Sequence, residues 1–275
     1  MKLLVIGNPI KHSKSPLIHN FWLKEKKINC SYKSLLVNSE DLKGIIQKVK
    51  KGEILGINIT LPFKEEIQQY LDLTDNNALY TGAINTVYKK NNKVIGTNTD
   101  GIGLVNSLKY DSRISLKGKN IFLIGAGGAA RGIIFSLIKQ KIQRLILTNR
   151  TIEKAKKLLF DIKKQTNFNN IIIQEWSNKN VGFQTDVIIN TTSYGMRTNE
   201  NLSINFSRKR KNLVVYDIIY NPNQTYFLKK AKDYGIKTYN GSGMLVRQAA
   251  ESFQRWFEIQ VSEKEIKKAI KLISL

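Results

Sequence analysis

The chain has 275 residues, a length that predicts about two domains, and 41% of them are hydrophobic, which excludes wholesale disorder. Lys and Arg (45) outnumber Asp and Glu (21) for a formal charge of +24, but the basic residues are spread throughout and accompany no zinc-finger, RNA-binding or leucine-zipper pattern. We therefore expect attraction of anionic small molecules, no specific nucleic acid and, without a long apolar run, no membrane. The single cysteine, Cys30, excludes an intramolecular disulfide and predicts a cytoplasmic protein.

Apolar runs alternate with amphipathic stretches in the first hundred residues. Strands are predicted at residues 3–6, 32–37 and 55–61, and helices at 16–27, 39–51 and 64–71. Pro16 occupies a favoured first position of its helix, and Ser39 is expected to cap the next one. The alternation predicts a mainly parallel α/β sheet. A hairpin around Asn91 and Asn92, joining residues 83–89 to 93–97, would make that sheet mixed.

A glycine-rich turn follows the apolar run at residues 121–124. Gly125 permits a tight turn out of the strand, Gly127 lets backbone N–H groups approach a pyrophosphate, and Ala130 allows close packing of strand and helix. The helix that follows would present its N-terminal N–H groups to the phosphates. This segment therefore predicts a dinucleotide site. Further strands are predicted at residues 144–148, 171–175, 187–190 and 214–217, and two final helices at 245–257 and 263–273.

The end of the second strand of this unit indicates which dinucleotide is bound. An NAD site usually has an acidic residue there, which accepts a hydrogen bond from the ribose 2′-OH. Here Asn149, Arg150 and Thr151 follow the strand, and Lys154 lies four residues beyond the arginine. A guanidinium at this place can hold a 2′-phosphate in a charge-assisted contact. Arg150 therefore favours NADP(H).

Small polar residues cluster at the ends of the strands that precede the glycines. They are Ser13 and Ser15 after the first strand, Asn58, Thr60 and Lys64 around the third, and Asn85, Thr86, Asn98, Thr99 and Asp100 around the hairpin. Ligands of open α/β sheets bind at such strand ends. Together these groups predict a site for a polyhydroxylated, carboxylated small molecule.

With these segments the chain resembles the shikimate dehydrogenases. The resemblance is carried by Ser13-x-Ser15-Pro16, Asn58-x-Thr60-x-Pro62-Phe63-Lys64, Gly82-Ala83-Ile84-Asn85-Thr86, Asn98-Thr99-Asp100-Gly101, Gly125-Ala126-Gly127-Gly128-Ala129, Asn149-Arg150-Thr151, Asp217-Ile218-Ile219-Tyr220-x-Pro222 and Gly241-x-Gly243-Met244-Leu245-x-x-Gln248-Ala249. These motifs cover almost the whole chain in the order of the family. The resemblance implies reversible, NADPH-dependent reduction of 3-dehydroshikimate to shikimate.

The resemblance also implies a role for individual residues. Lys64 and Asp100 would be catalytic, which fits the need to donate a proton and stabilise a developing alkoxide. The substrate would be bound by Ser13, Ser15, Thr60, Lys64, Asn85, Asp100, Tyr220 and Gln248. NADP(H) would be bound by Gly125, Ala126, Gly127, Gly128, Ala129, Asn149, Arg150, Thr151, Lys154, Ile218 and Gly241. No metal is expected, and His12 and His19 belong to no partner motif, so we expect both to be structural or surface residues.

The expected fold is α/β with two domains. A mixed-sheet substrate domain would comprise residues 1–101 and be completed by the C-terminal helices of residues 242–275, and a Rossmann NADP-binding domain would comprise residues 102–241. The expected partners are the small-molecule substrate and a second copy of the chain in a homodimer.

Two residues depart from the family pattern. Lys154 stands where many members have a second arginine, which weakens the expected preference for NADP, and Ile218 replaces a methionine of similar volume. Three alternatives remain. A quinate/shikimate dehydrogenase that uses NAD is disfavoured by Arg150, and a folate-type dehydrogenase by the serine pair and Gln248. A non-catalytic or nucleic-acid-binding protein would leave the combination of Lys64 and Asp100 unexplained.

Overall fold

The computed structural model describes residues 1–177, 184–197 and 200–274. The chain divides into two compact units, one formed by Met1–Leu104 with Leu245–Leu275 and the other by Val105–Met244. Within the part of the chain that is described, no helix is long and apolar enough to cross a bilayer.

The first unit contains a mixed six-stranded sheet, as the sequence predicted. Its elements are β1 (Lys2–Gly7), α1 (Ser15–Glu25), β2 (Ser31–Leu36), α2 (Asp41–Lys51), β3 (Gly56–Ile59), a 3₁₀ turn (Glu66–Tyr70), β4 (Leu73–Thr74), α3 (Asn76–Thr81), β5 (Thr86–Lys90), β6 (Lys93–Thr97) and the start of α4 (Asp100–Asn106). The strand order is β2-β1-β3-β5-β6-β4. β1 is parallel to β2 and β3, whereas β5 is antiparallel to β3 and β6. Asn91 and Asn92 form the predicted hairpin turn, both with positive φ.

The second unit contains a parallel six-stranded sheet. After a π-helical turn (Ser107–Asp111) it comprises β7 (Asn120–Ile124), α5 (Gly128–Lys139), β8 (Arg144–Thr148), α6 (Ile152–Gln165), β9 (Ile171–Gln174), β10 (Val187–Asn190), β11 (Val214–Asp217), α7 (Tyr226–Asp233) and β12 (Lys237–Tyr239). The strand order β12-β11-β10-β7-β8-β9 is that of a doubly wound dinucleotide-binding sheet. The predicted fold class is therefore confirmed.

Two C-terminal helices, α8 (Ser242–Phe257) and α9 (Glu263–Ser274), complete the core of the first unit. Apolar residues of both helices pack with β1 and α1 in one continuous cluster, which includes Trp22 and Phe253. Trp256 fits over β3 because Gly56 has no side chain: a Cβ there would lie 2.1 Å from the indole nitrogen. The same nitrogen donates to the Val87 carbonyl at 3.0 Å, which fixes α8 against the sheet.

Two local predictions in this unit are wrong. The helix expected from residue 64 to 71 is only the 3₁₀ turn Glu66–Tyr70, because residues 61–65 form a turn that precedes it. Ser39 does not cap α2; its hydroxyl donates instead to Glu66 Oε2 at 3.0 Å. The turn before α2 is stabilised by Asp41, whose carboxylate accepts the backbone N–H of Asn38 at 2.8 Å.

Candidate active site

Lys64 and Asp100 form a direct ion pair in the first unit. Lys64 Nζ lies 2.7 Å from Asp100 Oδ2, and the side chains are only 20% and 11% exposed. Lys64 follows the end of β3, and its carbonyl accepts the backbone N–H of Ile84 at 2.7 Å. Asp100 is the first residue of α4, and its backbone N–H donates to Asn98 Oδ1 at 3.0 Å. These hydrogen bonds fix the backbone from which each of the two charged side chains projects.

The Asn85 side chain connects this pair to the rest of the polar cluster. Its Nδ2 donates to Asp100 Oδ1 at 2.8 Å and to Gln248 Oε1 at 3.3 Å. Gln248 is carried by α8, which approaches α4 closely at Gly103: a Cβ on this glycine would lie 2.7 Å from the Cβ of Gln248. Four of the predicted substrate residues, Lys64, Asn85, Asp100 and Gln248, therefore lie together in one cluster.

The remaining predicted substrate residues of the first unit lie at the ends of the neighbouring strands β1 and β3. Thr60 follows β3, and its backbone N–H donates to the Ile6 carbonyl of β1 at 2.9 Å. Ser13 lies in the loop after β1, and Ser15 begins α1, with its backbone N–H 3.4 Å from Ser13 Oγ. Since β1 and β3 are parallel, both segments leave the sheet at the same edge.

His19 is excluded as an acid–base group by its surroundings. Its ring is fully buried and stacks on Tyr32 with 4.3 Å between the ring centroids. Burial lowers the pKa of His19 to about 3, so the imidazole stays neutral at neutral pH. This agrees with the expectation of a structural role.

The glycine turn of the second unit has the geometry of a phosphate-binding turn. Gly125 adopts φ +112°, and a Cβ there would lie 2.6 Å from Thr191 Oγ1, so only glycine fits. Gly127 is exposed and precedes the first residue of α5 without any side-chain cap on the helix. Backbone N–H groups at the start of a helix attract anions. Ala130 is buried, as close packing of α5 on β7 requires.

Asn149 holds the end of β8 against the glycine turn. Its Oδ1 accepts the backbone N–H of Ala126 at 3.1 Å, and its Nδ2 donates to the Thr151 carbonyl at 2.7 Å. Arg150 and Lys154 are exposed, and among the residues that the structure describes no carboxylate pairs with either. Their positive charges are therefore available to an anion beside the turn.

The segment after β11 is fixed by a buried carboxylate. Asp217 accepts hydrogen bonds from Asn190 Nδ2 at 3.0 Å, from the Ile219 backbone N–H at 3.1 Å and from Thr225 Oγ1 at 2.7 Å. Burial raises the pKa of Asp217 to about 6 in spite of these three donors. The cluster shapes the turn that carries Ile218 and Tyr220, and burial raises the pKa of the Tyr220 phenol.

Gly241 closes this turn from the other side. Its backbone N–H donates to the Ile219 carbonyl at 3.0 Å. A Cβ on Gly241 would lie 1.8 Å from the carbonyl oxygen of Ile218, so no other residue fits. The two predicted cofactor residues Ile218 and Gly241 therefore lie in van der Waals contact.

Sequence reasoning missed two buried residues of the first unit, Tyr32 and Ser252, and included Thr86 among the polar groups of the site without giving it a role of its own. The hydroxyls of all three belong to the polar cluster around Asn85. One signal was present for Ser252, which lies four residues after Gln248 and thus on the same face of α8. In the described ranges, no group of three or more His, Cys, Asp or Glu side chains could hold a metal ion.

Three family profiles match consecutive parts of the chain. The shikimate dehydrogenase substrate-binding domain matches residues 5–87, the shikimate/quinate 5-dehydrogenase domain matches residues 108–225, and the shikimate 5′-dehydrogenase C-terminal domain matches residues 241–271. The chain is also 41% identical to the NADP⁺ shikimate dehydrogenase of Pelagibacter ubique, over 93% of each chain. It is 43% identical to that of Methanococcus aeolicus, over 98% of this chain and 96% of the relative.

Solved structures give the same result for the fold. A shikimate dehydrogenase crystallised with NADP⁺ is similar with a TM-score of 0.90 and 38% identity, over 98% of this chain and 94% of that one. The Thermus thermophilus enzyme in complex with NADP(H) and shikimate is similar with a TM-score of 0.87 and 28% identity, over 99% of each chain. A 5-ketofructose reductase of Gluconobacter is similar with a TM-score of 0.90 and 30% identity, over 99% of this chain and 98% of that one. Since that enzyme is named for a different substrate, the fold alone does not determine the substrate. With the sequence identity added, the chain belongs to the shikimate dehydrogenase family.

Proposed function

We propose that this protein is an NADP-dependent shikimate dehydrogenase, which reversibly reduces 3-dehydroshikimate to shikimate in the biosynthesis of aromatic amino acids by way of chorismate. The observation that carries the proposal is the largely buried Lys64–Asp100 pair, 2.7 Å apart, together with the Asn85 amide, which donates to the Asp100 carboxylate at 2.8 Å. Relatives at about 40% identity over most of their length are NADP⁺ shikimate dehydrogenases, which supports the same substrate and cofactor.

Lys64 and Asp100 have the chemistry that ketone reduction needs. NADPH, when bound, supplies the hydride that reaches the carbonyl carbon. The Lys64 ammonium lies at the carbonyl oxygen, stabilises its growing negative charge and gives it a proton. Asp100 holds the ammonium in place and accepts a hydrogen bond from a substrate hydroxyl. In the oxidative direction the Lys64 amine takes the hydroxyl proton back.

The other polar groups of the cluster suit a polyhydroxylated substrate with one carboxylate. We assign the substrate carboxylate to the hydroxyls of Ser13 and Ser15, because each can donate one hydrogen bond to it. The ring hydroxyls are assigned to Thr60, Asn85, Asp100 and Gln248. Amide and carboxylate groups such as these accept hydrogen bonds from hydroxyls, so a substrate lacking those hydroxyls would bind without these hydrogen bonds.

The second unit fits NADP(H) at two points. The glycine turn offers the backbone N–H groups of Gly127 and Gly128 to the pyrophosphate, since no side chain fills the space around these two residues. Arg150, with Lys154 one helical turn into α6, offers positive charge to the 2′-phosphate. We assign Ala126, Ala129, Asn149, Thr151, Ile218 and Gly241 to the same cofactor. The unit of Met1–Leu104 and Leu245–Leu275 is accordingly proposed as the substrate domain, and Val105–Met244 as the NADP domain.

The cysteine content and one exposed edge strand bear on the location and the oligomeric state of the protein. We place the enzyme in the cytoplasm, because its one cysteine leaves no intramolecular disulfide to maintain. We propose a homodimer in which the edge strand β2 is covered, since Leu35 and Leu36 on it are exposed. Light scattering at micromolar concentration measures the mass; a monomer would contradict the dimer and leave the activity untouched.

Initial rates test the function directly. Purified protein is assayed for oxidation of shikimate and of quinate with NADP⁺ and with NAD⁺, and for reduction of 5-ketofructose with NADPH. We expect shikimate with NADP⁺ to give the highest kcat/KM. A higher kcat/KM for quinate with NAD⁺ would establish the quinate/shikimate alternative, and one for 5-ketofructose would replace the substrate assignment. If none of these substrates is turned over, the proposal is overturned.

A further inference from the structure

We propose that Thr86 is a positioning residue of this active site: its hydroxyl fixes the Asn85 amide and, through that amide, the Asp100 carboxylate. The inference rests on the proposed function, because it concerns how the Lys64–Asp100 pair is held for proton transfer. Thr86 is the first residue of β5 and is fully buried, so its hydroxyl does not reach a bound substrate. Any effect it has on turnover must pass through its neighbours.

The orientation of the Asn85 amide is fixed by groups that have only one hydrogen-bonding role. The backbone N–H of Thr99 can only donate, and it lies 2.9 Å from Asn85 Oδ1. The ionised carboxylate of Asp100 can only accept, and its Oδ1 lies 2.8 Å from Asn85 Nδ2. The amide oxygen of Asn85 therefore faces away from Asp100, toward Thr86.

The Asn58 amide is oriented in the same manner one step further back. Its Nδ2 donates to the backbone carbonyl of Asn85, an obligate acceptor, at 3.0 Å. The same nitrogen lies 3.0 Å from Thr86 Oγ1, so the threonine hydroxyl accepts there. Asn58 Oδ1 accepts from the Tyr32 hydroxyl at 2.6 Å. Burial raises the pKa of Tyr32 well above its ordinary value, which keeps this hydroxyl protonated as a donor.

The single proton of Thr86 is thereby directed to Asn85. Its hydroxyl accepts from Asn58 and donates to Asn85 Oδ1 at 2.9 Å. Ser252 Oγ, 2.8 Å away, can donate as well as accept, whereas Asn85 Oδ1 can only accept. The arrangement that satisfies both contacts therefore has Ser252 donating to Thr86 and Thr86 donating to Asn85. Among the described residues, Thr86 is thus the only one whose hydroxyl both accepts from Asn58 and donates to the Asn85 amide oxygen.

All the hydrogen bonds of this series point the same way. Tyr32 donates to Asn58, Asn58 to Thr86, Thr86 to Asn85, and Asn85 to Asp100, which also receives the Lys64 ammonium. In a low-dielectric interior such aligned bonds strengthen one another. Loss of the Thr86 hydroxyl would remove one hydrogen bond from each amide, leaving Asn58 Nδ2 with Ser252 Oγ at 3.1 Å and Asn85 Oδ1 with the Thr99 backbone N–H at 2.9 Å. The Asn85 amide and the Asp100 carboxylate would then be held less firmly.

The β5–β6 hairpin provides a matched control. Thr97 lies directly opposite Thr86 in the register of the two strands, and both threonines are fully buried. The Thr97 hydroxyl donates to Asp75 Oδ2 at 2.6 Å, outside the polar cluster. Thr86→Val and Thr97→Val therefore each remove one buried hydroxyl from the same ladder position while keeping the side-chain shape. Thr86→Ser keeps the hydroxyl and removes only a methyl group.

Steady-state kinetics of shikimate oxidation with NADP⁺ distinguish the variants. We expect Thr86→Val to lower kcat about tenfold, the effect expected of losing one buried hydrogen bond to the Asn85 amide, with KM for shikimate changed less than about twofold. Thr86→Ser and Thr97→Val should keep kcat within about twofold of the wild type. Equal kcat losses in Thr86→Val and Thr97→Val, or in Thr86→Ser and Thr86→Val, would overturn the inference.

Two further results separate the possible failures. If Thr86→Val does not fold, Tyr32→Phe tests the same series two steps back: we expect kcat to fall about threefold, and an unchanged kcat would overturn the inference. A wild-type protein without shikimate turnover would refute the proposed function and this inference with it. An active wild type with an unaffected Thr86→Val variant would refute only the role of Thr86.

Discussion

Asp217→Asn is expected to change how the stability of the protein depends on pH. Asp217 is fully buried at the end of β11, and burial raises its pKa from 3.8 to about 6 although three donors contact the carboxylate. Between these two pH values the folded chain binds one proton more than the unfolded chain. The free energy of unfolding therefore falls as the pH rises through this window. The difference between the two pKa values corresponds to a destabilisation of about 3 kcal/mol, absent below about pH 4 and complete above about pH 6.

The asparagine keeps the shape of the site and cannot ionise. Its Oδ1 can accept from Asn190 and from the backbone of Ile219, and its Nδ2 can donate to Thr225 Oγ1, which now serves as acceptor. Urea denaturation of both proteins from pH 4 to pH 8 gives the two stability curves, and their difference cancels the other carboxylates. We expect the variant to gain about 3 kcal/mol relative to the wild type between about pH 4 and pH 7.

A control of opposite sign tests the same reasoning. Hydrogen bonds from the Val94 backbone and from Lys50 lower the pKa of Asp72, which is exposed on the first unit. Its ionised form therefore adds stability above the ordinary pKa, and that stability is lost as the pH falls. Asp72→Asn should lose stability relative to the wild type as the pH rises, whereas Asp217→Asn should gain it. A pH-independent difference between Asp217→Asn and the wild type would refute the assignment of a raised pKa.

The remaining predictions concern the site itself. Lys64→Ala should lower kcat for shikimate about 10²- to 10⁴-fold with a smaller change in substrate binding, and retained turnover would remove Lys64 from the mechanism. Arg150→Gln should raise KM for NADP⁺ about tenfold or more with little effect on NAD⁺; equal effects on both would mean that the guanidinium does not meet the 2′-phosphate. Gly125→Ala should cost about 2 kcal/mol or more in denaturation, because the positive φ and Thr191 both oppose a side chain; unchanged stability would contradict this.

The parts of the fold that depend on local pattern were predictable from the sequence. The apolar run of β7 and the glycines after it predicted a strand, a turn and a helix, and the structure has β7 ending at Ile124 and α5 beginning at Gly128. The hairpin was predictable because Asn91 and Asn92 tolerate positive φ. Short elements such as β4 and β12, with two and three residues, are too brief to show a period and were not predicted.

The polar cluster could be predicted only in part, because its partners are distant in the chain. The residue types of Lys64, Asn85 and Asp100 indicated the chemistry. Nothing in the local sequence indicated that Ser252 would lie 3.1 Å from Asn58 Nδ2, a contact spanning 194 residues. Such contacts arise from the packing of α8 on the sheet. These long-range contacts determine which serine and threonine hydroxyls bond to residues of the site and which bond only to backbone groups.

A comparison of two ion pairs shows what separates the site from a structural contact. Arg131 and Asp161 join α5 to α6 at 2.7 Å with side chains 21% and 23% exposed, nearly the geometry of Lys64 and Asp100. Partly buried pairs of this kind add little net stability, because desolvation offsets the attraction. Distance and burial alone therefore do not distinguish the proposed catalytic pair from a structural one. The surrounding donors do: Asp100 also accepts from the Asn85 amide, whose own orientation is fixed by the Thr99 backbone, an arrangement that suits the proposed proton transfer.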